Sequence, residues 1–298
     1  MHGDTLVHLY SLKPGKKKTE KQTVKRNIET YQTNDNFSFT FLTSSPVEFT
    51  GSLATLKEKG FFCGDDHRTN KILFQKKNIS VLANMINQPA GDTIYSFRFS
   101  QAKLPLPGEI QYADDLLEFY SHEQLAGVFG EKNVINDLYY FSEKEISKCS
   151  ILFPKTNRQA IFIWDDEVNL CRLSCVLIGS NFNTKSQANY SGLISENAWS
   201  SRDGISPGMN LRNLLRLNGN DFKFYGNRSK FSLMVAPENT GKLDFKKNRV
   251  ILGCLDPVGS RLLSNEMISA QEILSDDPGI YVFMIVLSAS AEPVAKRN

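Results

Sequence analysis

The pattern that most narrows the fold is a helix signal, closed by glycine and followed by strand-like runs, that occurs twice in the second half of the chain. Ser121-His122-Glu123-Gln124 has the form of a capping box, in which the Ser side chain accepts from the backbone three residues on and Gln124 reaches back. Leu125, Val128 and Phe129 form an apolar stripe, and Gly130 stands where a left-handed C-terminal cap is needed. Strand-like runs follow at 138–141, 150–153, 160–164 and 170–178. Asn210 heads the second copy, Leu211, Leu214 and Leu215 form its stripe, and Gly219 closes it. Runs at 222–225, 231–235, 249–255 and 281–287 come after it. Ser121 and Asn210, Leu125 and Leu214, and Gly130 and Gly219 are each 89 positions apart. This pattern predicts two helix-plus-meander units, each a short amphipathic helix laid on an antiparallel sheet. A weaker third copy stands around Ser52, Leu53, Leu56 and Gly60.

The first half is strand-like. Phe37, Phe39 and Phe41 alternate with Ser38 and Thr40, the two-residue period of a half-buried strand. A turn at 88–92 separates an apolar run at 79–86 from one in which Tyr95, Phe97 and Phe99 share a face. Leu104-Pro105-Leu106-Pro107-Gly108 then breaks regular structure. The chain has 298 residues, about twice a typical domain. The expected fold class is α+β, antiparallel and β-rich. Its parts are a basic tail or entry segment at 1–30, an N-terminal β-rich domain at 31–108, and the two helix-plus-meander units at 109–195 and 196–298. The longest apolar run, Ile280 to Leu287, is far short of the ~18 residues of a membrane-spanning helix, so no transmembrane segment is expected. A composition of 41% hydrophobic and 22% charged residues excludes collagen-like and wholly disordered chains.

The net charge of +3 is unevenly spread. Lys13, Lys16, Lys17, Lys18, Lys21, Lys25 and Arg26 face Glu20 alone, so this segment carries +6 and the rest about −3. Such a run attracts phosphates or anionic lipid, but no aromatic residue interrupts it to stack on a base. A solvated tail is the simpler reading, and no nucleic-acid partner is expected. The five cysteines, Cys63, Cys149, Cys171, Cys175 and Cys254, are scattered and odd in number, which argues against a disulfide framework. No secretory leader is read at the start, where His2, Gly3 and Asp4 follow Met1.

Few residues carry chemistry. Cys63-Gly64-Asp65-Asp66-His67 gathers a thiol, two carboxylates and an imidazole, and Cys63 with His67 is a candidate nucleophile and base. The plain reading of that stretch is a polar turn. Asp165 and Asp166, with Glu167, follow an apolar run and offer a candidate carboxylate pair, against the reading of a charged hairpin turn. Cys171 and Cys175 are an even number of positions apart in a predicted strand, which puts both on one face with Leu173 and Leu177. Trp164 and Trp199 are candidate binding residues, a stacking platform for sugar or peptide, with core packing as the alternative. Neither a P-loop, a dinucleotide-binding glycine pattern nor H-E-x-x-H occurs, and no metal site or cofactor is expected.

Gly204-Ile205-Ser206-Pro207-Gly208-Met209-Asn210-Leu211, followed by Leu214, Leu215 and Gly219, resembles the opening of SmpA/OmlA (BamE-like) and β-lactamase-inhibitor-like domains. The wider stretch from about 115 to 290 resembles envelope or secreted proteins of Bacteroidetes-type bacteria. The resemblance implies a helix packed on a small antiparallel sheet, a scaffold or protein-binding role, and a periplasmic or envelope location, with the cytoplasm as the alternative. The expectation is a non-enzymatic binding module acting on a protein partner, its small-molecule ligand, if any, undefined. The alternative is a hydrolase using Cys63 and His67 or the Asp165–Asp166 pair.

Overall fold

The computed structural model describes residues 26–32, 37–66, 71–87, 93–101, 104–179, 197–254, 261–275 and 279–288. The chain divides into two compact units, Met1–Leu104 and Pro105–Asn298. Both combine short helices with antiparallel sheets, an α+β arrangement rich in strand. Lys13 to Lys25 of the basic run lie outside the described residues, and Arg26 opens the first strand.

The first unit holds β1 (Arg26–Gln32), β2 (Phe37–Thr43), α1 (Pro46–Glu58), β3 (Phe62–Asp66), β4 (Lys71–Lys76), β5 (Ile79–Asn87) and β6 (Thr93–Gln101). Its six-stranded sheet has the order β1-β2-β6-β5-β4-β3. The aromatic alternation works as the sequence implies: Phe39 stacks on Phe99 at 4.4 Å and Phe41 lies 6.0 Å from Phe97. Helix α1 covers that face, laying Phe49 on Tyr95 and Phe97 at 4.6 and 5.1 Å. The helix begins earlier than the third copy around Ser52 implies. Ser45 is the cap, its Oγ accepting from the Glu48 N–H, and Pro46 supplies a φ already suited to the first turn. Ser52 is therefore mid-helix.

The second unit holds α2 (His122–Phe129), β7 (Val134–Tyr140), β8 (Ile146–Leu152), β9 (Ala160–Asp166), β10 (Cys171–Gly179), α3 (Leu211–Asn218), β11 (Lys223–Tyr225), β12 (Asn248–Cys254), β13 (Met267–Ser269), α4 (Ala270–Ile273) and β14 (Ile280–Ser288). Its main sheet has the order β12-β14-β10-β9-β8-β7. The two helix-plus-meander segments thus share one sheet instead of building one each. The strand that joins them is β14, whose largely buried apolar run lies inside the sheet. It pairs with β10 (Leu177 opposite Val286) and with β12 (Val250 opposite Ile285).

Helices α2 and α3 both close one face of this sheet. Leu125, Phe129, Leu211 and Leu214 join Phe162, Trp164, Val176 and Ile285 in one core. The N-terminal caps are those read from the sequence, Ser121 Oγ accepting from Gln124 N–H at 3.2 Å and Asn210 Oδ1 from Asn213 N–H at 2.8 Å. Gly219 closes α3 in the left-handed conformation, whereas Gly130, at φ 87° and ψ 142°, does not adopt it. Gln124 reaches back one residue further than a capping box does, accepting from the Tyr120 N–H at 2.7 Å. The opposite face carries Cys149, Ile151, Ile161, Ile163, Cys175, Leu177, Met284 and Val286. A register shift between Leu173 and Cys175 reverses the alternation along β10. Cys171, opposite Asp166, therefore faces the helix side with Leu173 and Trp164, and Cys175 faces away, so the two thiols do not share a face.

The run at 231–235 is not a regular strand. It turns through Phe231 and Leu233, with Leu233 at φ +56°. Beyond that point the backbone bonds on both sides. Leu233 and Ala236 N–H donate to Tyr225 and Lys223 carbonyls, while Val235 N–H donates to Val250 O and Leu252 N–H to Leu233 O. This segment joins the small β11–β13 ribbon to the β12 edge of the main sheet. Among the described residues no helix is long and apolar enough to cross a membrane.

Candidate functional site

The residues singled out for chemistry are not brought together. Cys63 pairs through its backbone with Phe74, so 62–66 is strand and not the polar turn expected there. His67 lies outside the described residues. Asp165 and Asp166 are successive residues of β9 and point to opposite faces, so they do not converge on one substrate. Asp166 is engaged as the organiser of the β9–β10 turn, accepting from the N–H groups of Val168 and Asn169 at 3.1 Å and from Asn169 Nδ2 at 2.9 Å. Burial pushes its carboxyl up, but those donors and the Cys171 thiol outweigh burial and hold it below the ordinary value.

Trp164 and Trp199 form no stacking platform, because each is only 2% exposed. Trp199 Nε1 donates to the Arg158 carbonyl at 2.6 Å, and the Arg158 guanidinium lies 4.9 Å from the indole ring. Trp164 Nε1 donates to Ser150 Oγ at 2.8 Å, and His122 Nδ1 lies 2.9 Å from the same oxygen. Burial pushes the His122 imidazole below its usual pKa and favours the neutral ring. With the proton on Nε2, Ser150 donates to Nδ1 while accepting from Trp164, which satisfies all three groups. This has the outline of a serine–histidine pair, yet Ser150 is fully buried and no acyl carbon reaches its Oγ.

Gly204-Ile205-Ser206-Pro207-Gly208 also spells G-x-S-x-G, a nucleophile-elbow pattern absent from the candidates above. An elbow requires the serine on a sharp strand-to-helix turn. Here no strand leads into Ser206, the Pro207–Gly208 turn follows it, and α3 starts only at Leu211. The match is one of spelling. Among the described residues no three His, Cys, Asp or Glu side chains gather to hold a metal ion.

The thiols are packing groups. Burial pushes Cys149, Cys171 and Cys175 each up to about 12, so they remain protonated near neutrality and are poor nucleophiles. Iodoacetamide near pH 8 is expected to leave all three unmodified in the folded protein and to alkylate all three once it is unfolded, as read by peptide mass mapping. Their folded pKa exceeds the unfolded value of about 8.5. The stability they confer is therefore intact below that pH and declines as pH rises towards 12. Denaturation midpoints should fall across that window.

Two surface features remain. A concavity of about 400 Å³ is lined by Glu109, Tyr112, Asp115, Glu118 and Arg202 among others. Its polar groups are largely spent on each other. Asp115, with its neighbour Asp114, forms a clamp: Asp115 accepts from Gln111 and Tyr112 N–H at 2.9 and 2.8 Å and from the Arg202 guanidinium. Asp114 accepts from Arg202 N–H at 2.8 Å and from Lys247 Nζ at 3.0 Å. The second feature is apolar. Met267 of β13 stands 45% exposed, and Phe231 and Leu263 in the segments flanking the ribbon 46% and 39%. The Phe231 ring leans on Tyr225 at 5.1 Å, and Tyr225 is paired opposite Met267. Sequence reasoning missed this group because Phe231 opens an apolar run, which reads as buried strand. Comparison with protein-family models, curated proteins and solved structures finds no match to this chain.

Proposed function

We propose that the chain is a non-enzymatic binding or scaffold module that acts on a protein partner. One observation carries this reading: in the second unit Cys149, Cys171, Cys175, Ser150 and both tryptophans are enclosed in the core and Asp166 is spent on its own turn, whereas Phe231 and Met267 stand about half exposed beside Tyr225. Exposed apolar groups of this kind cost solubility and mark interaction surfaces. The likeness of 204–219 to envelope scaffold domains supports the same reading, and with it a place in a bacterial envelope. The test is capture from envelope extract by the intact chain, by Phe231→Glu and by Val168→Glu, a control at a residue 85% exposed in the β9–β10 turn. A partner retained by the parent and the control but lost by Phe231→Glu supports the reading. Equal capture by all three, or none by the parent, refutes it.

A further inference from the structure

The outer face of the β11–β13 ribbon carries charge as well as apolar surface. Along β11, Lys223 and Tyr225 flank buried Phe224; along β13, Met267 and Ser269 flank buried Ile268. The register sets Lys223 opposite Ser269 and Tyr225 opposite Met267, so these four share the outer face. Arg228 and Lys230, both exposed, sit in the turn that returns Phe231 to Tyr225. Lys223, Arg228 and Lys230 make no ion pair with a described residue. The acid nearest to Lys223 in sequence, Asp221, is held by neutral donors: Ser269 Oγ at 2.7 Å and Gln271 N–H at 2.9 Å. Two acids oppose the three cations, Asp221 itself and Glu266 beside Met267, which leaves basic groups in excess by one.

The turn is clamped in place. The N–H groups of Gly226, Asn227 and Arg228 donate in succession to the carbonyls of Glu266, Leu262 and Ser264. A Cβ at residue 226 would press into the Ser264 carbonyl, so only glycine allows the two loops to come this close. A surface held this firmly loses little entropy on binding.

We propose that this face docks a short protein segment that combines apolar or aromatic side chains with carboxylates. The apolar groups lie against Tyr225, Phe231 and Met267, and the carboxylates point to Lys223, Arg228 and Lys230. The proposal rests on the binding-module reading and names its surface and the chemistry of its partner. A peptide fits better than a single-stranded nucleic acid. Tyr225 and Phe231 are tilted 46° to one another, and Met267 and Leu263 offer no flat face for a base. Another exposed apolar pair, Phe141 and Ile146, borders Glu143, Lys144 and Glu145, whose mixed signs select for no partner charge.

The test is selection of random peptides displayed on phage against the intact chain, followed by fluorescence anisotropy with a labelled synthetic copy of the enriched peptide. Enriched sequences should pair Asp or Glu with apolar residues. Their affinity should fall about tenfold or more in Phe231→Ala, and again when Lys223→Glu, Arg228→Glu and Lys230→Glu are combined. Binding should also weaken as salt rises, with melting temperatures of the variants close to the parent. Enriched peptides without acids, or insensitive to both variants, overturn this site while leaving the binding-module reading standing. A labelled single-stranded oligonucleotide that binds, and is lost in the same variants, overturns the peptide in favour of nucleic acid. A library that yields no binder overturns both readings.

Discussion

Replacing Trp199 with alanine is expected to cost about 3–5 kcal/mol, enough to unfold a large fraction of a marginally stable unit. The ring is 2% exposed and sits in the main core of the second unit. Its loss leaves a cavity that close-packed neighbours fill only partly. The change also strips the Arg158 carbonyl of its Nε1 donor at 2.6 Å and the Arg158 guanidinium of the ring 4.9 Å away. The backbone anchor beside the indole is kept, since Asn197 Oδ1 accepts from the residue 199 N–H at 2.9 Å and Asn197 Nδ2 donates to Gln159 O at 3.2 Å, so the loss falls on ring packing and the Nε1 bond. Trp199→Phe should cost clearly less, because it keeps most of the volume and loses the donor. Urea denaturation of both variants checks the order.

Asp115→Ala is the second large effect, at about 2–3 kcal/mol. The cost comes chiefly from two backbone donors, Gln111 and Tyr112 N–H, that lose their acceptor. The ion pair itself contributes less, because the Arg202 side chain is 59% exposed and water takes the carboxylate's place. Arg202→Ala should therefore cost under about 1 kcal/mol. The two variants also separate on pH. Burial raises the Asp115 carboxyl, but the Tyr112 and Gln111 donors and Arg202 outweigh it, so its folded pKa lies below the unfolded value of about 3.9. Its contribution is present above that pH and is lost as pH falls through the folded pKa. Denaturation midpoints of the parent should drop more steeply below about pH 4 than those of Asp115→Ala.

The elements legible in the sequence are those whose signals are local. Ser121, Asn210 and Gly219 act within one helical turn, and the Phe39–Phe41 and Phe97–Phe99 alternations act within one strand, so their spacing suffices. What the sequence hides depends on partners far along the chain. The equal spacing of the two helix signals suggests separate modules, yet β14 lies between β12 and β10 and makes one sheet of the two segments. The single-residue shift at Leu173/Cys175 undoes the even-spacing argument for Cys171 and Cys175, because a bulge leaves no mark in composition. The candidate site went unread for a related reason. Tryptophans attract attention as binding residues, but here both are core. Phe231 and Met267 look like core and are half exposed, because the two-stranded ribbon has no layer over its outer face among the described residues.

The claim that function resides on the ribbon surface and not in the core is tested most directly by one crossed measurement. Melting temperature and partner capture per folded molecule are recorded side by side for Trp199→Phe and Phe231→Ala. The account expects Trp199→Phe to melt several degrees lower with capture unchanged, and Phe231→Ala to melt near the parent with capture lost. The reverse pattern, capture lost with Trp199→Phe and kept with Phe231→Ala, would contradict it.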